Sequence, residues 1–314
     1  MLRGVARRSP LIAFALGAMS AAAACQIVIG YEEKVLDPSA EGGVVGPGGE
    51  EGGVVGPGGG GVDGSTEDVA PGQCPTTTKG PRMVPVPLPT GGTMCIDETE
   101  VTQAQYRELT SLVTVPYDQP PECAWNTTIE PLDVCLERLD DGDASPYHCS
   151  AATKACDDAP QTCVDWCDAY FYCKWAGKRL CGRTTGGPVG AAEGKNPAVS
   201  QWLNACSSGG KNAFPYGANF DGTKCYSTAD AGYPTLPVKS FPGCETPEGV
   251  FDLSGSVAEW EDSCASADGG DDICVYRGGS FLTDPSSELF ECSRQQGRQR
   301  GLAAKWRGFR CCWP

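Results

Sequence analysis

Residues 249–260 read GVFDLSGSVAEW. The apolar run Val250–Leu253 inside this stretch is bounded by glycine and serine, and such a run predicts a short strand. Three other short apolar runs predict strands in the same way, at Met94–Ile96, Val275–Phe281 and Phe309–Trp313. Loops rich in glycine, proline and aspartate separate these runs, so we expect a few short strands joined by long connections.

Capping signals predict three helices between these runs. Thr102-Gln103-Ala104-Gln105 reads as a capping box that begins a helix ending near Leu112. Thr162–Asp165 is a second capping signal, and apolar residues then recur every three or four positions as far as Trp175. Asn196-Pro197 predicts the start of a third helix. Helices, short strands and many loops together predict an α+β domain.

The composition of the chain excludes several chemistries. Of 314 residues, 19 are cysteine and one is histidine, His148, so a metal site with two or more histidines cannot form. The 24 basic and 40 acidic residues give a net charge of −16. Because such a chain repels phosphates, we expect no nucleic-acid partner.

The first 24 residues predict a signal peptide. Three arginines lie among the first eight residues, and the apolar run Leu11–Ala24 is too short to span a bilayer. The run ends in Ala22-Ala23-Ala24-Cys25, which resembles a bacterial lipobox. The resemblance implies that Cys25 is acylated and anchors the protein to a membrane of the bacterial cell envelope. The alternative is ordinary signal cleavage that leaves Cys25 unmodified.

Residues 25–73 predict a flexible linker. Residues 41–50 read EGGVVGPGGE and residues 51–60 read EGGVVGPGGG, a direct repeat of ten residues. Glycine at this density raises the chain entropy and prevents packing. The globular domain is therefore expected to span residues 74–314.

This domain carries 18 of the 19 cysteines, an even number. After export, the default state of these cysteines is disulfide-bonded. Zinc is the competing interpretation, but it is disfavoured by the single histidine and by the lack of any Cys-x-x-Cys. Cys163 and Cys167 are spaced as a redox pair on one helix, and the favoured interpretation is two structural half-cystines with different partners.

Six segments resemble, in order, motifs of the formylglycine-generating enzyme, or sulfatase-modifying factor, family. They are CIDETEVT at 95–102, VDWCDAY through WAGKRL at 164–180, FPYG at 214–217, GVFDLSGSVAEW at 249–260, RGGSF at 277–281 and GFRC at 308–311. The resemblance implies a C-type-lectin-like fold, rich in loops and stapled by disulfides. It also implies two disulfide pairs, Cys173 with Cys311 and Cys206 with Cys292.

The chain departs from the family at its copper site. Family enzymes hold copper with two cysteines that follow the "G-G-S" motif, and these positions are Thr283 and Glu288 here. Cuprous copper prefers soft sulfur ligands, and neither residue supplies a thiolate. We therefore expect no copper cofactor.

The resemblance further implies a calcium site. Its ligands would be the carbonyl oxygens of Gly255 and Val257 and the carboxylate of Glu259, although Ser256 replaces the family asparagine. Asp268, with its acidic neighbours at 271 and 272, offers a second calcium candidate, for which a solvated turn is the favoured interpretation.

A basic stretch close to the C-terminus includes Arg294, Arg298 and Arg300. The favoured interpretation is that these arginines pair with acids of the domain. The alternative is an anion-binding wall of the family's substrate groove.

Two functions from different classes remain open. The first is a surface binding module for a peptide, protein or glycan ligand, which the missing copper ligands favour. The second is an oxidoreductase of the formylglycine-generating-enzyme family that acts on a protein or small molecule through a variant site.

Overall fold

The computed structural model describes residues 72–313, apart from 77–78, 133–155, 229–234, 285 and 287. The predicted signal peptide, Cys25, nearly all of the predicted linker and His148 lie outside the described residues. Across the described ranges, we find no helix with the length and apolar character needed to cross a membrane.

The described residues form short strands and three short α-helices. In chain order the elements are β1 (Met83–Pro87), β2 (Thr93–Asp97), α1 (Gln103–Leu112), α2 (Trp166–Trp175), β3 (Arg179–Leu180), α3 (Gln201–Cys206), β4 (Ala258–Cys264), β5 (Ile273–Arg277), β6 (Gln296–Gln299), β7 (Arg307–Phe309) and β8 (Cys311–Trp313). Single 3-10 turns lie at Pro121–Cys123, Glu193–Lys195 and Glu288–Phe290. The architecture is mixed α and β, as the sequence predicts.

Two four-stranded sheets organise the domain. The first has the order β1-β2-β8-β3, and the second has the order β6-β5-β4-β7. All neighbouring strands are antiparallel except β4 and β7, which are parallel. The predicted strand Phe309–Trp313 is in fact two strands, and Arg310 between them is where the chain passes from the second sheet to the first.

Strand β4 occupies an interior position in the second sheet and is buried along nearly its whole length. Its sequence AEWEDSC lacks an apolar run, which is why no strand is predicted there. The predicted strand Val250–Leu253 is wrong, because that segment forms only an isolated bridge between Glu245 and Phe251. The loop then delivers the chain into β4.

Helix α2 packs its buried face into the main core. Tyr172 stacks on Tyr106 of α1 with ring centroids 5.4 Å apart and meets Phe309 edge-on at 5.4 Å. The helix begins later than predicted, because Asp165 is the N-cap and forms a reciprocal capping box with Asp168. The position two residues before this cap is outside the helix, since Cys163 has a φ of +63°.

The third helix also begins later than predicted. Ser200, not Asn196, caps α3 by accepting a hydrogen bond from the Leu203 amide. The Asn196 side chain instead accepts from the Ala198 amide at 3.0 Å, and its carbonyl oxygen accepts from the Ser200 amide at 3.0 Å. Asn196-Pro197 is therefore a turn before the helix.

Disulfides link the elements across long stretches of chain. The pairs are Cys74–Cys95, Cys123–Cys167, Cys173–Cys311, Cys181–Cys312, Cys206–Cys292, Cys225–Cys244 and Cys264–Cys274. The two pairs implied by the resemblance are among them. Cys163 is also disulfide-bonded, and since Cys167 bonds Cys123, these neighbouring half-cystines have different partners.

Candidate functional site

The stretch 249–260 contributes Glu259 to a buried ion pair with Arg310. The Arg310 guanidinium donates to both carboxylate oxygens of Glu259, with N–O distances of 2.7 Å, and both side chains are almost fully buried. The Trp202 indole N–H donates to the same carboxylate at 2.8 Å. Both oxygens of Glu259 are therefore held by protein donors, and the carboxylate does not fit the calcium role that the resemblance implies.

A second acid shares this arginine. Glu100 is completely buried, and its carboxyl lies 3.8 Å from the Arg310 guanidinium. Burial, followed by the neighbouring charge of Asp252, raises the pKa of Glu100 well above its ordinary value. Glu259 is therefore the acid that pairs directly with Arg310, and Glu100 lies further from the guanidinium.

Arg277, the last residue of β5, holds together three segments that lie near the stretch 249–260. Its guanidinium donates to the Glu261 carboxylate at 2.6 Å and to the carbonyl oxygens of Cys292 and Gly194 at 3.0 and 2.5 Å. Ser200 donates to the other oxygen of Glu261 at 3.1 Å. This arginine therefore connects two sheet strands to the loop that carries the family copper positions.

The side chains at those two positions make local structural contacts. The Thr283 hydroxyl accepts a hydrogen bond from the Ser280 amide at 2.9 Å, and the Thr283 carbonyl oxygen accepts from the Ser227 hydroxyl. Glu288 opens the 3-10 turn Glu288–Phe290 and forms an exposed ion pair with Arg294. The two side chains would offer copper a hydroxyl oxygen from Thr283 and a carboxylate from Glu288 that is already paired with Arg294. Cuprous copper prefers sulfur ligands, so these residues do not fit it.

No other thiol of the described residues replaces the missing pair. All sixteen cysteines in the described ranges are disulfide-bonded. This includes Cys312, which follows the closing GFRC motif and bonds Cys181. A thiolate site for copper is therefore absent from the part of the chain that the structure describes.

A surface cleft opens beside Thr283 and Glu288. It is shallow, with an enclosed volume of about 10 Å³, and its lining residues are Tyr216, Phe220, Asp221, Gly222, Cys225, Ser227, Ser254 and Phe290. Ser227 contacts the Thr283 carbonyl, and Phe290 ends the turn that Glu288 begins. We call these eight residues the aromatic cleft, since three of them present rings to it.

The stretch 254–256 supports the floor of the aromatic cleft. The Ser254 hydroxyl donates to the Phe290 carbonyl oxygen at 2.8 Å. Gly255 has a φ of +77°, and a Cβ there would lie 2.3 Å from the Tyr226 carbonyl oxygen, so a side chain is excluded. Ser256 also has a left-handed φ, +54°, which asparagine adopts more readily than serine.

The basic stretch does not form a single anion-binding wall. Arg300 is buried, donates to the Asp272 carboxylate at 3.0 Å and stacks over the Trp166 ring at 4.8 Å. Arg294 is paired with Glu288 and lies 3.7 Å from Glu291. Arg300 does not fit the anion-binding role, because its guanidinium is buried and bonded to Asp272. Arg298 is half-buried.

The carboxylates of the acidic loop at 268–272 accept hydrogen bonds from neighbouring protein groups. Asp272 accepts from the amide and hydroxyl of Ser266 at 2.9 Å, Asp268 accepts from the same hydroxyl, and Asp271 accepts from Gln299. Across the described ranges, one group of three potential metal ligands has its ligand atoms within 4.8 Å of one another, and it consists of Asp272, Cys264 and Cys274. Those two sulfurs form a disulfide, so they are not thiolate ligands.

Sequence reasoning missed two features of the site. The rings of Tyr216 and Phe220 lie in a loop segment with no periodic pattern, and the FPYG motif at 214–217 was the one available signal. A buried ion pair between Lys178 and Asp97, with an N–O distance of 2.5 Å, was also missed. Burial raises the pKa of Asp97 to about 6 against the opposing effect of Lys178.

The fold and the site together define a disulfide-stapled domain of the formylglycine-generating-enzyme type whose copper positions carry no sulfur. A family model described as the sulfatase-modifying factor enzyme 1-like domain matches residues 69–314. The chain belongs to this family.

Individual relatives are more distant. The chain is 28% identical over 168 residues to the "Inactive C-alpha-formylglycine-generating enzyme 2" of Mus musculus, and 28% identical over 166 residues to the protein of the same name from Bos taurus. These alignments cover 49% and 48% of this chain and 49% of each relative. The chain thus spans about half the length of the curated relatives it matches.

Two solved structures also match the chain, at lower sequence identity. CarF is 19% identical with a TM-score of 0.46, over 71% of this chain and 86% of CarF. PvdO from Pseudomonas aeruginosa is also 19% identical with a TM-score of 0.46, over 78% of this chain and 98% of PvdO.

Proposed function

We propose that this protein is an exported, surface-tethered binding module that uses the aromatic cleft, and that it does not oxidise a substrate cysteine to formylglycine. The observation that carries the proposal is the state of the two family copper positions. Thr283 holds the Ser280 amide and Glu288 holds Arg294, while every described cysteine is in a disulfide. Both curated relatives described above are named as inactive enzymes.

The cleft supports binding by its position and its lining. It lies beside the two family copper positions, and the ring of Phe220 is exposed at its edge. Phe220 is 43% exposed, so its ring is available to a ligand at the surface. Ligand sites are usually lined by apolar and aromatic side chains, and the lining of this cleft has that character.

The negative half of the proposal is tested by copper loading. The purified oxidised chain is treated with cuprous copper and incubated under oxygen with a peptide that carries the sulfatase cysteine motif. We expect no aldehyde above a metal-free control, while a copper-dependent enzyme of the family, run in parallel, converts the peptide. Turnover by this chain would overturn the binding-module proposal and favour the oxidoreductase alternative.

The positive half is tested by a binding screen against immobilised peptides and glycans. We expect hits for the native chain that are lost in the Phe220→Ala variant. Leu302→Ala is the matched control, because Leu302 is an exposed apolar residue of similar exposure, 45%, that does not line the cleft. If Phe220→Ala and Leu302→Ala give the same hits as the native chain, the cleft is not the binding site.

A further inference from the structure

A tryptophan outside the aromatic cleft lies along the backbone of three glycines. A Cβ placed on Gly270 would lie 3.3 Å from Cε2 of Trp125, one on Gly301 would lie 3.1 Å from Cη2, and one on Gly269 would lie 3.7 Å from Cδ1. These atoms run from the five-membered ring to the far edge of the six-membered ring. Trp125 is nevertheless 39% exposed, so the side of the ring turned away from the glycines is open to solvent. We call Trp125 and these three glycines the tryptophan platform.

Contacts within the domain hold this ring in place. The Trp125 indole N–H donates to the Glu122 carbonyl oxygen at 2.8 Å. The Gly301 amide donates to the Gly270 carbonyl oxygen at 2.9 Å, which joins the two segments under the ring. A disulfide between β4 and β5 closes the base of the loop that carries the other glycines. Because the ring is already ordered, a ligand that stacks on it loses little conformational entropy of the protein.

Two exposed acids, Asp268 and Asp271, flank the glycine pair 269–270 under the ring. Each acid is one Cα step, about 3.8 Å, from a glycine of the platform. Asp268 accepts a hydrogen bond from the Ser266 hydroxyl through Oδ2, and Asp271 accepts from the Gln299 amide through Oδ1, both at 2.9 Å. Each bond uses one oxygen, so the second oxygen of each carboxylate is available to a ligand beside the ring.

The cation of the same loop is already balanced. Arg300 is buried and pairs with Asp272 at 3.0 Å, and its guanidinium also donates to the carbonyl oxygens of Ser266 and Gly269 at 3.2 and 3.5 Å. Its charge therefore stabilises the loop from below and is neutralised there. The two exposed acids leave the rim of the platform negative, which disfavours an anionic ligand and favours a cation.

We propose that the tryptophan platform binds an arginine side chain of a partner peptide or protein, with the guanidinium plane against the Trp125 ring and its N–H groups donating to Asp268 and Asp271. A guanidinium stacks on aromatic faces and pairs with carboxylates, and tryptophan is the aromatic side chain that attracts cations best. Lysine fits less well, because its ammonium is a compact and strongly hydrated point charge. The proposal is independent of the proposed function, since the platform uses no residue of the aromatic cleft.

The test measures binding of three peptide amides to the mature full-length chain by calorimetry. The first alternates arginine and glycine, and the other two carry lysine or citrulline in place of each arginine. Citrulline keeps a planar group and lacks the charge. We expect the arginine peptide to bind at least about threefold more tightly than the lysine peptide, because of the ring face, and more tightly still than the citrulline peptide. Equal affinity for the arginine and lysine peptides, or no binding of the arginine peptide, would overturn the proposal.

Variants locate the binding on the platform. Trp125→Leu keeps an apolar side chain and removes the ring, so we expect the preference for arginine over lysine to disappear, while Trp125→Phe keeps part of it. Phe220→Leu is the matched control, because Phe220 is a ring of similar exposure, 43%, in the aromatic cleft. Asp268→Asn keeps an acceptor and removes a charge, and we expect it to weaken binding of the arginine peptide about threefold. Asp284→Asn, at an exposed acid of another loop, should leave that affinity unchanged.

Two further outcomes separate this proposal from its alternatives. If Trp125→Leu abolishes hits in the glycan screen and leaves binding of the arginine peptide unchanged, the platform stacks a sugar and the proposal is wrong. If Trp125→Leu and Phe220→Leu weaken binding of the arginine peptide equally, the binding does not belong to the platform, and the proposal also fails. Loss of screen hits in Phe220→Ala tests the aromatic cleft alone, so the two proposals stand or fail separately.

Discussion

Arg310 and Glu259 face each other through two N–O contacts of 2.7 Å, and both side chains are at most 1% exposed. Arg310 lies between β7 and β8, where the chain leaves the second sheet for the first, and Glu259 lies in β4. The same guanidinium donates to the carbonyl oxygens of Asp97 and Phe251. One side chain therefore ties β2, the loop before β4 and β4 itself to the C-terminal segment.

Loss of this pair is expected to destabilise the fold strongly. The Arg310→Lys variant keeps the charge and loses the planar fork, so Glu259 retains at most one of its two contacts. Removing one partner of a buried pair costs about 3–5 kcal/mol, and we expect a loss approaching that range in chemical denaturation. Arg82→Lys is the control, because the Arg82–Glu98 pair is exposed at the arginine and should change stability by less than about 1 kcal/mol. Equal effects of the two variants would show that the buried pair adds nothing.

Stability is expected to rise as the pH falls from 8 to 5. Burial raises the pKa of Asp262 from 3.8 to about 7, and burial likewise raises the pKa of Asp165 to about 6. Because the folded-state pKa is the higher one, the folded chain holds these protons more tightly. The resulting stabilisation is complete below the unfolded-state pKa and is lost as the pH rises through the folded-state pKa.

The Asp262→Asn variant isolates the contribution of one of these buried acids. We expect it to reduce the stability difference between pH 5 and pH 8 by about 2 kcal/mol, measured by denaturant titration at each pH. Asp284→Asn should leave the difference unchanged in this window, because Asp284 is exposed and its pKa is lowered by hydrogen bonds from Ser286. A native chain whose stability does not vary between pH 5 and pH 8 would contradict the prediction.

The two disulfides implied by the resemblance should be found by non-reducing peptide mapping, as Cys173 with Cys311 and Cys206 with Cys292. Their contribution to stability follows from loop length. Replacing Cys206 and Cys292 by alanine opens a separation of 86 residues, and the chain-entropy model gives a loss of about 4–5 kcal/mol. For Cys264 and Cys274, separated by 10 residues, it gives about 3 kcal/mol. A larger loss for the shorter loop would argue against the entropic account.

The N-terminus of the mature protein is expected to be an acylated Cys25. A single acyl chain binds membranes only marginally, so stable anchoring requires more than one chain on this residue. Mass spectrometry of the mature N-terminal peptide measures the modification directly. Cleavage at another residue, or an unmodified Cys25, would show that the protein is released after export.

The sequence by itself determined the features that depend on local contacts or on ordered motifs. The capping box at Thr102 and Gln105 is present as predicted, since both of its bonds lie within four residues. The predicted strand at Met94–Ile96 lies within β2, because a short apolar run needs only burial to form one. Six motifs in order gave the family, and with it the pairing of two disulfides.

Only the tertiary structure decided which polar residues are buried. Strand β4 reads AEWEDSC, which no apolar pattern marks as interior. Its two glutamates tolerate burial because arginines 16 and 51 residues away in the chain reach them. The aromatic cleft likewise combines rings from residues 216–290. The disulfides Cys206–Cys292 and Cys225–Cys244 tether the loops that carry those rings, and such contacts between residues distant in the chain have no signature in the sequence of either partner.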